Sequence, residues 1–425
     1  MDMLHGTNIY LENKPISKHF FIYIWIMYAT VHMTKNCFGS AMAAIVAEGA
    51  LTKSQTGLIM ALFYLFYAPL QIPGGVLADK YNPERFILVG LIGAAAVNII
   101  IFVNHNFYVM LFAWVFNAII QAPLWPSAFK IISSQLATSD RPRMIFYISF
   151  SDSFGFLMGY TLAAFIPSWE YNFAISAAVL AILAICMYGL CIRYGNYTSV
   201  PRIEQRAKTR EGQKSSAPTW KLFAASGFFM VLPAIVLRSM VELGTTTLSP
   251  TMLMESYANV SPSIGNLLNI FIILSGPLGI ALVKIILYPK LIKNELKGIC
   301  IMLIAALPFT IILRFLGIIT VSGAVVALCG ITITTTATRL LLSHYTMRFA
   351  SYGKNATAEG LSNAALCLGI MFESYGFVHI ADLFGWSTVT TMWIVMIAVA
   401  ALFTALAIPF SKRFKRCLQN NTDRL

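Results

Sequence analysis

The sequence predicts an all-α membrane protein of twelve transmembrane helices, arranged as two pseudo-symmetric six-helix bundles. Three observations carry that expectation. The 425-residue chain is 58% hydrophobic and only 11% charged, with a mean hydropathy of +0.73, whereas a soluble chain carries roughly a quarter charged residues. Its apolar residues gather into runs of membrane-spanning length, about twenty residues each. Its Lys and Arg residues fall in every second gap between those runs, the asymmetry that orients membrane proteins.

In chain order, residues 1–18 are a polar cytoplasmic segment containing Lys14. The apolar run that follows is too long for a signal-peptide core and reads as the first span, 19–48. Further spans are expected at 54–78, 84–103, 107–136, 143–166 and 171–193, completing a first bundle over 19–193. Residues 194–219 are polar and carry Arg202, Arg206, Lys208, Arg210 and Lys214, a basic linker. The second set lies at 220–254, 262–288, 297–315, 319–349, 355–381 and 386–410, within a bundle over 220–411. A basic tail, 412–425, holds Lys412, Arg413, Lys415 and Arg416.

Alternate loops contain Lys80 and Arg85, Arg141 and Arg143, Lys290, Lys293 and Lys297, and Arg348 and Lys354. The opposite loops hold little beyond Lys53, with Arg314 at a border. The positive-inside rule then puts both termini and the linker in the cytoplasm, and the expected location is the plasma (inner) membrane. The net charge of +13 is spread over these short clusters instead of one soluble face, which excludes a nucleic-acid binder.

The seven cysteines, Cys37, Cys186, Cys191, Cys300, Cys329, Cys367 and Cys417, form no CxxC pair and no metal-spaced cluster with histidine. Neither a disulfide framework, a metal nor a cofactor is expected. No HExxH, GxSxG or GxxxxGK[ST] motif is present, which argues against an enzyme and against ATP-driven pumping.

Several stretches resemble the major facilitator superfamily. Gly75-Val-Leu-Ala-Asp79-Lys80-Tyr-Asn-Pro-Glu-Arg85 follows the second span and resembles that superfamily's GxLaDRxxxR/K loop, looking most like its organophosphate/phosphate antiporter branch, the glycerol-3-phosphate and hexose-phosphate transporters. KNCFGSAM at 35–42 looks like the branch's Arg-Lys-Asn-Phe-x-x-Ala-Met. The stretch 48–57 resembles its first outer loop, Trp125-Pro126 followed by Lys130 resembles its Trp-Pro-Pro-x-x-Arg, and Gly376 to Trp386 resembles the end of its eleventh span. The resemblance implies a cytoplasmic gate built from Gly75, Asp79, Lys80 and Arg85, with Lys130 as a partner of Asp79; Glu359, close to Lys354, joins the gate candidates.

The anion pocket departs from the branch. Tyr67 is followed by Gln71 where the branch has lysine, Asp152 replaces the fifth-span histidine, and Glu242 takes the place of an arginine, with Arg238 one turn earlier. These changes leave organophosphates, carboxylates and sugar acids all open as cargo.

Charge inside a bilayer is expensive and marks function. Lys35 lies sixteen residues beyond His19 and Arg238 seventeen beyond Lys221, so both sit about 25 Å along the equivalent first and seventh spans. Facing cations at matched depths would clamp an anion at the repeat interface, together with Tyr67, Gln71 and Asn363; a structural ion pair with Glu242 is the alternative for Arg238. Asp152 and Glu242 are candidates for proton coupling, against permanent salt bridges. Lys284 and Arg339 fit snorkelling to the interface. Glu373 has no assigned role, and His32 and His379 read as packed residues. Trp125-Pro126, Ser249-Pro250 and Gly276-Pro277 are expected to interrupt helices.

The function expected is secondary active transport of a small hydrophilic anion by alternating access, through exchange or proton-coupled symport, by a monomer in the lipid bilayer. An exporter of drugs or other metabolites is the alternative, against which Ser153-Phe-Gly155-Phe-Leu-Met-Gly159 lacks the proline usual in the fifth span of such antiporters.

Overall fold

In the computed structural model the described residues are 18–80, 82–135, 141–166, 168–194, 219–283, 285, 294–346, 348–349 and 355–419. Every regular element among them is helical. The first span is α1 (Lys18–Lys35) with α2 (Cys37–Ala47), the second α3 (Lys53–Lys80), the third α4 (Pro83–Val103). The fourth is α5 (Phe107–Gln121) with α6 (Leu124–Gln135), the fifth α7 (Arg141–Phe165), the sixth α8 (Glu170–Tyr194). The seventh comprises α9 (Thr219–Ser226), α10 (Phe228–Thr247) and α11 (Ser249–Ser256). Then come α12 (Pro262–Leu282), α13 (Glu295–Leu313) and α14 (Val321–Thr346). The eleventh span joins α15 (Asn355–Phe372), a π turn (Glu373–Phe377) and α16 (Val378–Phe384), and the twelfth is α17 (Trp386–Gln419).

Among the described residues, nine segments are long and apolar enough to cross a membrane. Polar residues between them act as caps. Asn106 accepts from the N–H groups of Tyr108 and Val109, Asn294 from those of Leu296 and Lys297, satisfying donors that a helix start leaves orphaned. Large apolar side chains such as Val89, Ile92, Phe112 and Ile185 point outward, which suits a lipid solvent.

Within the first bundle the first span packs on the fifth and the third on the sixth; within the second, the seventh packs on the eleventh and twelfth. The halves meet where the fifth span faces the eighth and the second faces the eleventh. Gly155 makes the first–fifth contact possible: a Cβ there would stand 2.4 Å from the Ala29 carbonyl oxygen and 2.5 Å from His32 Cβ.

Three details differ from expectation. Helix α17 runs to Gln419, past 410, so the start of the basic tail is helical. The fourth span breaks at Ala122–Pro123, ahead of Trp125-Pro126. Pro277 sits inside the continuous α12, where neighbouring groups in a bundle can satisfy the backbone it frees. The seventh span does break beside Ser249-Pro250, at Leu248. The linker between Tyr194 and Thr219 lies outside the described residues.

Candidate functional site

Helix breaks in three spans converge on one cavity between the halves. The first span breaks at Asn36, the seventh at Leu248, and the eleventh widens into the π turn beginning at Glu373. The cavity is lined by Lys35, Tyr64 and Trp114 from the first half and by Thr247, Glu373 and Ser374 from the second, among others. Broken helices at mid-membrane are tolerated where they line a cavity or are buried in protein.

Lys35 is buried at the last residue of α1. Its Nζ donates to Tyr67 Oη at 2.5 Å and lies 4.1 Å from the centre of that ring. The structure therefore brings Lys35 and Tyr67 together, and among the described residues no carboxylate forms an ion pair with Lys35.

Arg238 is buried in α10, and its Nη1 donates to Glu242 at 2.6 Å, one turn along, to the Thr335 carbonyl at 3.2 Å and to Thr338 Oγ1 at 3.1 Å. Its Nε and Nη2 have no hydrogen-bond partner. Arg339, expected to snorkel, instead bridges two acids: Nε lies 2.7 Å from Glu242 and Nη1 3.3 Å from Asp152. His32 Nδ1 meets Asp152 at 2.6 Å. A chain of charge thus runs His32–Asp152–Arg339–Glu242–Arg238, crossing from the first half to the second at the Asp152–Arg339 pair. With neutral His32 it holds two cations and two anions and is internally balanced.

Gln71 and Asn363 meet across the halves, Asn363 Nδ2 donating to Gln71 Oε1 at 3.2 Å. Arg85 is exposed near the start of α4. Gly75, Asp79 and Lys80 fall within α3, Lys130 within α6 and Glu359 within α15, but their side chains lie outside the described residues.

Glu373 is fully buried. Ser374 Oγ donates to its Oε2 at 3.0 Å, while Oε1 has no hydrogen-bond partner. A second cluster joins the halves at the start of the second span. Lys53 Nζ, at the start of α3, lies 2.6 Å from Glu255 and 3.0 Å from Asp382. Trp386 Nε1 donates to Glu255 at 2.8 Å and its ring sits under the Lys53 ammonium, 5.1 Å away. Ser54 donates to Asp382. Just below, Gly57 packs on the Ser374 carbonyl, 2.4 Å from where a Cβ would stand. Lys53, the lone lysine of the loops on its side, and the family-like stretches 48–57 and 376–386 were the sequence's signals for this cluster.

A profile described as the Major Facilitator Superfamily matches residues 24–374. The chain is 30% identical over 124 residues to the membrane sensor protein UhpC of Salmonella typhimurium, covering 29% of this chain and 28% of that protein. It is 26% identical over 121 residues to a Chlamydia pneumoniae protein named "Probable hexose phosphate transport protein", covering 28% and 27%. These curated relatives are thus matched over less than a third of their length. A bacterial homolog of the human lysosomal transporter Spinster has the same fold, with a TM-score of 0.70 at 17% identity over 96% of this chain and 98% of that one.

Proposed function

Because the chain belongs to the major facilitator superfamily, we propose that it is a secondary active transporter that carries a small hydrophilic anion by alternating access. The observation that carries this reading is Lys35, a buried cation lining the cavity between the halves without a carboxylate partner. An uncompensated charge inside a bilayer costs several kcal/mol, and an anionic cargo offsets that cost by supplying the missing partner. Arg238 is not among the residues that line this cavity; its buried Nε and Nη2 have no hydrogen-bond partner among the described residues and suit a carboxylate or phosphoryl group that reaches them as the halves move. The relative named for hexose phosphate transport supports organophosphates among the candidates, beside carboxylates and sugar acids.

The distribution of Lys and Arg assigns both termini to the cytoplasm, which makes the Lys53 latch the outer gate and the loop at Asp79 and Arg85 part of the inner one. Transport requires the latch to break and re-form as the halves rock. Asp152 and Glu242 are held in salt bridges, which favours a role in joining the halves over release of a proton; exchange and proton-coupled symport are both compatible with that arrangement. A sensor that binds the anion without carrying it is the second reading, favoured by the relatives named as membrane sensors.

A ligand-stability screen of the purified protein tests the proposal, using phosphate esters, inorganic phosphate, dicarboxylates, sugar acids and neutral sugars. Cargo at a hundred times its dissociation constant should stabilise the fold by about 2.7 kcal/mol. Stabilisation by one anion class, lost in Lys35→Gln and Arg238→Gln, is the expected result. Stabilisation by neutral or cationic compounds alone, unchanged in both variants, would sink it.

A further inference from the structure

The cavity has an acidic wall as well as a basic one. Lys35 lines it from the first span and Glu373 from the eleventh. The other carboxylates of the region, the half-buried Asp152 and the buried Glu242, are each gripped by two basic side chains. Glu373 has no ion pair among the described residues, and its hydrogen bond from Ser374 engages only Oε2, leaving Oε1 bare and fully buried. Thr247 of the seventh span also lines the cavity beside the Glu373 carboxyl, and its hydroxyl donates to the Leu243 carbonyl at 2.5 Å.

The backbone marks the same position. Glu373 opens the π turn Glu373–Phe377, and such turns inside α-helices are frequent at functional sites. Here the start of the turn packs on both halves: the Ser374 carbonyl lies against Gly57 of the second span, and the Glu373 stem lies against Gly244 of the seventh. Glu373 is therefore fixed where both halves meet, with Oε1 unpartnered among the described residues.

We propose that Glu373 is a cargo-binding residue and that the cargo is a zwitterion, its anionic group held at Lys35 and its ammonium group at Glu373. This deepens the anion reading and rests on it. The charge balance decides between a zwitterion and a simple anion. A simple anion pairs with Lys35 alone and leaves Glu373 Oε1 without a partner among the described residues. A cargo carrying both charges gives each wall its partner and leaves no net charge in a medium where excess charge is costly.

The test uses full-length protein in lipid nanodiscs and two ligand pairs that differ by an amine: phosphoethanolamine against ethyl phosphate, and 4-aminobutyrate against butyrate. In at least one pair the wild type should bind the amine-bearing member about tenfold tighter or more, a difference of about 1.4 kcal/mol. Glu373→Gln should abolish that preference, whereas Glu373→Asp, which keeps the charge, should retain a preference and guards against misreading a folding defect. Lys35→Gln should weaken both members. Equal binding within both pairs, tighter binding of the amine-free members, no binding of any of the four, or a preference that survives Glu373→Gln would each overturn the proposal. So would a Glu373→Gln variant that changes only the pH dependence of ethyl phosphate binding, since Glu373 would then serve a proton. If Lys35→Gln weakens both members while Glu373→Gln changes neither, the anion reading stands and this one fails. If Lys35→Gln changes nothing, the anion reading itself has failed.

Discussion

Replacing Lys53 with Met keeps the side-chain stem and removes the charge at the latch. Two carboxylates then lose their shared cation and face each other. A hydrogen bond to a charged group contributes about 1.5–3 kcal/mol when shielded, but the Glu255 and Asp382 side chains are 28% and 34% exposed. Solvent screening lowers each pair to about 1 kcal/mol. The Lys53–Trp386 contact adds about 0.5–1 kcal/mol. The sum, about 3 kcal/mol, changes the ratio of closed to open latch roughly 150-fold, enough to carry an equilibrium of about 99:1 to near parity. Spin labels at the exposed positions Ala50 and Asn259, on a background without native cysteines, report the separation of the two halves beside the latch. The wild type should give one short distance and Lys53→Met a second, longer population of comparable size. An unchanged distribution would refute the idea that the latch holds this end shut.

Other substitutions probe the interior. Glu255→Gln and Asp382→Asn should each open the latch less than Lys53→Met does, by roughly fivefold, about 1 kcal/mol, read from the same label distances. Asp152→Asn should weaken the fold by about 2 kcal/mol, because it strips a shared partner from His32 and Arg339 in a part-buried network; the melting temperature falls while the pH dependence of uptake keeps its shape, and a flattened pH profile would restore Asp152 as a coupling site. Gly155→Leu should prevent assembly of the first and fifth spans, since even a Cβ falls 2.4 Å from a carbonyl oxygen and overpacking costs upward of about 1–3 kcal/mol; loss of a monodisperse peak in size-exclusion chromatography is the readout.

The spans were legible because membrane-length apolar runs and alternating basic loops are one-dimensional signals. Lys35 was legible for a similar reason, since depth along a helix follows from counting residues, whereas Tyr67 was named only through the resemblance to the antiporter branch. The network around Asp152 was not. His32, Asp152 and Arg339 are far apart in sequence, and only the close packing of the fifth span on the first, allowed by Gly155, and of the fifth on the second half brings them into reach. Arg339 in particular stands near enough to a helix end for snorkelling to account for it, until the carboxylates opposite are known. Glu373 was visible as an acid in an apolar run, but nothing in the sequence signals the π turn that aims it at the cavity. Of the latch, the sequence offered the isolated Lys53 and, through family resemblance, the stretches 48–57 and 376–386 that hold Lys53, Asp382 and Trp386, but nothing that paired them or brought in Glu255.

The most direct test of the central claim is uptake into proteoliposomes reconstituted with wild-type protein or Lys35→Gln, using radiolabelled anions from the class that stabilises the fold. Accumulation by the wild type, inhibited by excess unlabelled anion and abolished in Lys35→Gln, is the result expected of an anion transporter. Binding without any uptake would make the protein a sensor, and uptake confined to neutral or cationic compounds, equal in both proteins, would contradict the claim outright.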